Sequence, residues 1–309
     1  MLHKKIELKQ RRDVGDMIST YFEFFKKNFK PFLNIFISYN GLFILGFLGV
    51  SYLLVTGFVG TFAETSNNFS IANDISSSQM YLVAGFIGLF ILIIITAVLN
   101  YSLAAVYVIQ YQNGEKSTVD KKQVLQMVKA NLGKIVLFIV IMIVAYIVLM
   151  VVGIIVSIIP VLGTFAYYLM ILAFTAWAGL SFMAMIDKNL DVTDSFSEGM
   201  TLLKAFFWKS ILTNLVIGLL LGILMMVVLM IPGILIGIYA FHSLDSGVDL
   251  VNSPVANVIW TLALALLLVL YTLNQSMAQF VNGILYYSIH EENYNELTRK
   301  RIDEIGAGE

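Results

Sequence analysis

Across 309 residues the chain is 59% hydrophobic and only 13% charged, against roughly 45–50% and about 25% in soluble domains, so a water-soluble globule is excluded. A formal net charge of −1 provides no basic field suited to nucleic acid. The absence of cysteine excludes disulfides, iron–sulfur clusters and thiol catalysis and leaves the redox compartment open.

The first thirty residues are charged, unlike the short basic region of a cleavable signal peptide, so the first apolar helix is expected to direct insertion. Within them Val14, Met17, Ile18, Tyr21, Phe22, Phe25 and Phe29 recur at helical spacing, with Glu23, Lys26, Lys27 and Lys30 between, which predicts an amphipathic helix. A first span follows over about residues 31–58, then a Ser/Asn-rich connection, then a second span over about 80–110. Val124, Met127, Val128 and Leu132 form the next stripe, opened by Ser117 and Asp120 as a capping box. Spans over about 134–158 and 165–186 flank a tight turn at Pro160 and Gly163. Phe196, Met200, Leu203 and Phe207 form a third stripe, with Ser195 and Glu198 as its box, ahead of a span over about 209–236. A loop with His242, Asp245, Asp249 and Pro254 leads to the sixth span, about 257–288, and a mixed-charge tail expected to be a fraying extension of it. The only charges in the spans are Lys134 and Lys209 at their opening positions. The three stripes admit two placements, flat in the headgroup plane with Lys toward phosphate, or docked on neighbouring helices.

All nineteen Lys and Arg fall in four alternate polar stretches of seven. Cationic loops are retained in the cytoplasm, so the alternation predicts six crossings with both termini inside, in a bacterial cytoplasmic membrane. The outer connections carry Glu64, Asp74, Asp245 and Asp249 without a counter-charge. Phe25-Lys26-Lys27-Asn28-Phe29 aligns with Val128-Lys129-Ala130-Asn131-Leu132 and Leu203-Lys204-Ala205-Phe206-Phe207, and Asn113, Asn189 and Asn293 each follow an even-numbered span. The expected fold is therefore an all-α integral membrane protein of six transmembrane helices, forming one membrane domain over 1–309. It is built from three interfacial-helix-plus-hairpin repeats (about 13–113, 117–189 and 193–293), with a short charged tail at 294–309.

The stretch Gly179 to Leu220 has a span ending Met185-Ile186-Asp187-Lys188-Asn189, then Phe196 to Phe207, then Trp208-Lys209 opening a new span. It resembles the six-helix membrane domain attached to some glycerophosphodiester phosphodiesterases, and Asp13 to Leu33 is similar to the start of that domain. The soluble catalytic barrel is missing from this chain, so the resemblance implies a fold and a membrane-accessory role, with no hydrolase activity.

Candidate chemistry is sparse. His242, Asp245 and Asp249 supply donors a divalent metal could use, but Ser243, Ser246 and Gly247 favour a solvated acidic turn. His3, His242 and His290 all lie outside the spans, so intramembrane metalloenzyme chemistry lacks ligands. No P-loop or nucleotide-binding glycine fingerprint occurs, no titrating side chain sits at membrane depth, and no cofactor is expected. Asn274, Gln275, Gln279 and Asn282 share one side of the sixth span, either as interhelical glue or as a polar groove. Gly41, Gly46, Gly49, Gly218 and Gly222 are expected in internal helix contacts rather than an oligomer interface. The expected role is a non-enzymatic membrane scaffold or accessory subunit, meeting anionic lipid headgroups or partner membrane proteins through Lys26, Lys129 and Lys204. The alternative is a transporter or lipid-translocating protein using the sixth-span groove.

Overall fold

The computed structural model describes residues 5–67, 76–114, 119–245 and 253–306. Among them are nine α-helices and no strand: α1 (Val14–Asn67), α2 (Ser77–Asn113), α3 (Lys121–Ala130), α4 (Leu132–Val156), α5 (Leu162–Asp187), α6 (Val192–Ala205), α7 (Phe207–Asp245), α8 (Pro254–Tyr294) and α9 (Glu296–Gly306). Six of these, α1, α2, α4, α5, α7 and α8, are long and apolar enough to cross a bilayer. Lipid solvates no backbone polar group, so long helices with internally paired N–H and C=O groups are the available solution. Their outward faces carry Leu42, Leu45, Phe90, Ile147, Leu219 and Met226 exposed, the reverse of a soluble surface. The chain is a multi-pass membrane protein.

Three local expectations are revised. The amphipathic segment from Val14 is continuous with the first span, forming one 54-residue helix, about 80 Å long at 1.5 Å per residue. Pro31 lies inside it without ending it. By contrast, α3 and α4 part at Asn131 (φ −103°, ψ 7°), and α6 and α7 part at Phe206 (φ −128°, ψ 41°).

The capping boxes also differ. Asp120 is itself the N-cap of α3, accepting from the Lys122 N–H at 3.0 Å, and Ser117 lies outside the described residues. Helix α6 starts earlier than expected, after Asp191, which makes no side-chain cap bond. Ser195 Oγ instead donates to the Val192 carbonyl at 2.7 Å, and Glu198 is drawn to Lys188 and Tyr294. Finally, the tail does not fray from the sixth span. Helix α8 stops at Tyr294, Asn295 turns the chain at φ 54°, and α9 begins as a separate helix.

Two compact units are present: residues 1–35, 98–220 and 276–309 form the first, and 36–97 with 221–275 form the second. Every described Lys and Arg belongs to the first. Its core includes edge-to-face rings, with Phe24 and Phe32 at 5.2 and 4.8 Å from Phe280, and Phe32 at 5.4 Å from Tyr107. The Tyr107 hydroxyl donates to Asn28 Oδ1 at 2.8 Å, while Asn28 Nδ2 donates back to the Phe24 carbonyl at 2.9 Å. The aligned Asn131 makes the same four-residue back-bond to Met127, also 2.9 Å.

In the second unit α1 and α2 approach through small residues. A Cβ on Gly57 would stand 2.7 Å from the Leu82 nitrogen, and one on Gly46 would stand 3.2 Å from the Leu92 side chain. Internal packing therefore accounts for Gly46. At Gly41, Gly49, Gly218 and Gly222, by contrast, nothing lies within 4 Å of where a Cβ would be, and that expectation is corrected.

Candidate functional site: the lysine-bearing first unit

From residue 14 to 32, α1 divides into four faces. Met17, Tyr21, Phe24, Asn28 and Phe32 are buried. Next around the helix, Ile18, Phe25 and Phe29 are half-buried and Phe22 is 44% exposed. Then come exposed Lys26 and Lys30, and last a polar face of Asp16, Ser19, Thr20, Glu23 and Lys27. The stripe read from sequence thus captured Met17 and Tyr21 but missed Phe24, the residue at the centre of the ring cluster.

Helices α3 and α6 dock on protein. Val124 and Val128 of α3 are buried, with Lys129 exposed at its last turn. Helix α6 buries Val192, Ser195, Gly199, Leu202 and Leu203. It lies so close to α5 that a Cβ on Gly199 would stand 2.7 Å from the Ser181 nitrogen. Trp177 Nε1 donates to the Phe196 carbonyl at 3.0 Å, and the Phe196 ring lies 5.0 Å from Phe138. Of the two placements open for these stripes, docking is the one observed for α3 and α6.

Docking sorts the cations. Residues 5–12 form a strap across the end of α2. Lys5 Nζ donates to the Gln112 and Gly114 carbonyls at 2.7 and 2.6 Å, Ile6 N–H to the Tyr111 hydroxyl at 2.8 Å, and Leu8 N–H to Gln112 Oε1 at 3.0 Å. Arg12 is buried, with its guanidinium donating to the Leu8, Gln10 and Glu7 carbonyls. Burial lowers the Lys5 ammonium from its ordinary value against the opposing charge of Glu7, and burial lowers the Arg12 guanidinium against Asp16, Glu7 and Glu23. Lys134 reaches Asp191 at 3.4 Å, Lys188 reaches Glu198 at 2.9 Å, and Lys209 reaches Glu292 at 2.5 Å. Lys26, Lys129 and Lys204, on α1, α3 and α6, are exposed and have no acceptor among the described residues, a state shared by Lys30 and Lys122.

The junction of α8 and α9 holds a polar cluster that sequence reasoning passed over. Tyr287 donates to Asp187 at 2.7 Å, and Tyr294 to Glu198 at 3.1 Å, with Lys188 Nζ 4.8 Å from the Tyr294 ring centre. His290 is buried against the Tyr286 and Tyr294 rings, its Nε2 3.8 Å from Glu296. Arg11 donates to Asn295, and Lys9 lies 4.0 Å from Glu296. The only signal in the sequence was a high density of Tyr, Glu and His after the sixth span, which cannot name partners 96 to 100 residues away. Replacing Tyr287 by Phe is expected to leave the half-buried Asp187 short of a donor, costing about 1–3 kcal/mol. Denaturation of the detergent-solubilised protein measures that difference.

The sixth-span amides are placed unequally. Asn274 and Gln275 are half-buried. Gln279 and Asn282 are 0% and 4% exposed, and Asn282 Nδ2 donates to Gln279 Oε1 at 2.8 Å. Among the described residues Gln279 Nε2 and Asn282 Oδ1 have no hydrogen-bond partner. Asn282 packs where a Gly179 Cβ would be, at 2.2 Å. His242 is exposed at the end of α7, while the side chain of Asp245 and all of Asp249 lie outside the described residues. Among the described residues no three His, Cys, Asp or Glu side chains are grouped to hold a metal ion.

No protein-family model, curated protein or solved structure matches this chain.

Proposed function

We propose that this chain is a non-enzymatic scaffold or accessory subunit of a bacterial cytoplasmic membrane, with both termini cytoplasmic, acting with anionic lipids or partner membrane proteins through its basic helices. The observation that supports this reading is the division of labour among the cations. Lys5, Lys134, Lys188 and Lys209 are occupied inside the chain, whereas Lys26, Lys129 and Lys204 stay exposed, with no acceptor among the described residues, at aligned positions of three helices. A Lys near an anionic surface contributes about 1 kcal/mol, so three contribute about 3 kcal/mol if independent. That corresponds to about a 100-fold change in affinity.

The triple variant K26A/K129A/K204A in nanodiscs is therefore expected to lose about 100-fold of its binding to added anionic vesicles at low salt, with the difference shrinking as salt screens it. Unchanged vesicle and partner binding would remove the basis for the proposal. The threading has its own test, because the chain has no cysteine to label. A single cysteine at Ser77 is expected to react with an impermeant maleimide from outside the cell, and one at Ser197 only after permeabilisation. Reversal of that pattern would overturn the topology.

A transport or lipid-translocating role is favoured by one observation, the buried Gln279 Nε2 and Asn282 Oδ1 that find no hydrogen-bond partner among the described residues. Buried polar atoms left unpaired are costly and call for an explanation. Solute flux or lipid scrambling in proteoliposomes that Q279L/N282L abolishes would favour this role over the scaffold.

A further inference from the structure

Between the strap and the polar face of α1 lies a cleft of about 600 Å³. Its two walls carry opposite charge. The strap contributes Lys5, Arg11 and Arg12 against the single carboxylate Glu7, whereas α1 contributes Asp16 and Glu23 against the single Lys27. The helical wall is a consequence of spacing: residues 16, 19, 20, 23 and 27 fall at i, i+3, i+4, i+7 and i+11, one face of a helix.

The walls attract each other, since Asp16 and Glu23 favour the charged form of Arg12, but among the described residues no hydrogen bond of Lys5, Arg11 or Arg12 reaches either carboxylate. Lys5 and Arg12 donate to neutral carbonyls, and Arg11 to the neutral amide of Asn295, so the hydrogen bonds that hold them leave their charge in place. The Asp16 carboxylate has no hydrogen-bond or ion-pair partner among the described residues, and Glu23 pairs along its own helix with Lys27 at 2.7 Å. Ser19 and Thr20 add hydroxyls between the two carboxylates.

A purely anionic ligand would meet the carboxylates of α1, and a purely cationic one would meet the strap. A ligand carrying both charges a few ångströms apart satisfies both walls. We propose that this cleft binds an ammonium–phosphate zwitterion of the phosphoethanolamine type, its phosphate toward Lys5, Arg11 and Arg12 and its ammonium toward Asp16 and Glu23. The site differs from the three exposed lysines and does not depend on them. The same chemistry is available from a phosphatidylethanolamine headgroup or from free phosphoethanolamine. The lipid source has a route, since exposed Lys30 and the half-buried Phe25 and Phe29 occupy faces of α1 beside the cleft.

The test uses the full chain. Calorimetry in detergent compares phosphoethanolamine, inorganic phosphate and ethanolamine, and nanodiscs compare co-purification of phosphatidylethanolamine with phosphatidylglycerol and phosphatidylcholine. The expected result is a preference of about tenfold or more for the zwitterion over either half alone. Preference in the soluble arm identifies a free compound as sufficient, and preference confined to nanodiscs identifies the lipid. The variant D16N/E23Q removes the carboxylates, and S19W fills the cleft while leaving every charge in place. Each is expected to lower zwitterion binding by about tenfold or more, a loss within reach of one or two charge-assisted hydrogen bonds. K26A/K129A/K204A is expected to keep the preference, so failure of the scaffold reading and failure of this one are read separately. Absence of preference in both arms, or a folded S19W that binds as wild type does, overturns the proposal.

Discussion

Replacing Gly199 by Ala is expected to destabilise the protein by about 3 kcal/mol, the upper part of the range for overpacking a filled contact. Helix propensity points the opposite way, since Ala in place of Gly in a helix interior favours the helix by about 1 kcal/mol. The steric term prevails because of what the new methyl meets. It would stand 2.1 Å from Ser181 Oγ, which can rotate, but also 2.7 Å from the Ser181 nitrogen and 2.9 Å from its Cα, which belong to the α5 backbone and cannot. Relief requires α6 to lift off α5, exposing Val192, Leu202 and Leu203 and disturbing the Trp177 bond to the Phe196 carbonyl. Gly133 is the matched control, because nothing lies within 4 Å of its Cβ position. Steric-trap or denaturant unfolding in detergent should show Gly133→Ala neutral or stabilising and Gly199→Ala destabilising. Equal effects at the two sites would mean that α6 does not pack on α5 this closely.

Replacing Glu291 by Ala is expected to release α9, with amide exchange at Leu297 and Thr298 accelerated by about 100-fold. That corresponds to a local loss of about 3 kcal/mol, within the range for hydrogen bonds to a charged group. The carboxylate is buried and accepts from the Leu297 N–H at 2.9 Å, the Thr298 N–H at 3.1 Å and the Thr298 hydroxyl at 3.0 Å. These are first-turn amides of α9, which have no partner inside their own helix, and a negative charge there also complements the helix dipole. Asn295 makes the geometry possible: its φ of 54° reverses the chain so that α9 starts over a side chain from the preceding helix. Asn tolerates that conformation better than most residues. Glu291→Gln keeps an acceptor oxygen but loses the charge, so a smaller acceleration is expected. Hydrogen exchange followed by mass spectrometry over 296–306 reads both variants. Exchange at wild-type rates in E291A would show that the strap, through Arg11 and Lys9, holds α9 without the cap.

Both results turn on contacts of a kind that local pattern does not encode. Gly199 appears in the sequence as an unexceptional helix residue after Glu198, and nothing nearby indicates that Ser181 will press on it. Glu291 appears as one of two consecutive glutamates, Glu291 and Glu292, in what looks like a solvated tail. One caps a helix and the other meets Lys209 at 2.5 Å, 83 residues away. The exposed lysines were easier to find, because three alignable segments placed Lys26, Lys129 and Lys204 at one position. Even there, the same criterion said nothing of Lys30 and Lys122, which share their exposure. The sixth-span amides were legible as a polar row but not as two half-buried and two buried residues.

The number of long apolar helices, their places in the chain and the confinement of cations to alternate connections could all be read from residue order. Transfer of a run of side chains into hydrocarbon depends on that run alone. Which cations remain available to a partner could not, because each is occupied or left open by an acceptor far off in sequence. Lys5 is held by a carbonyl 107 residues on, and Lys134 by an asparagine 55 residues on. The opposed charges of the strap cleft belong to the same class. They arise only where a short N-terminal segment folds back beside α1 and lends its cations to neutral acceptors instead of to the carboxylates it faces.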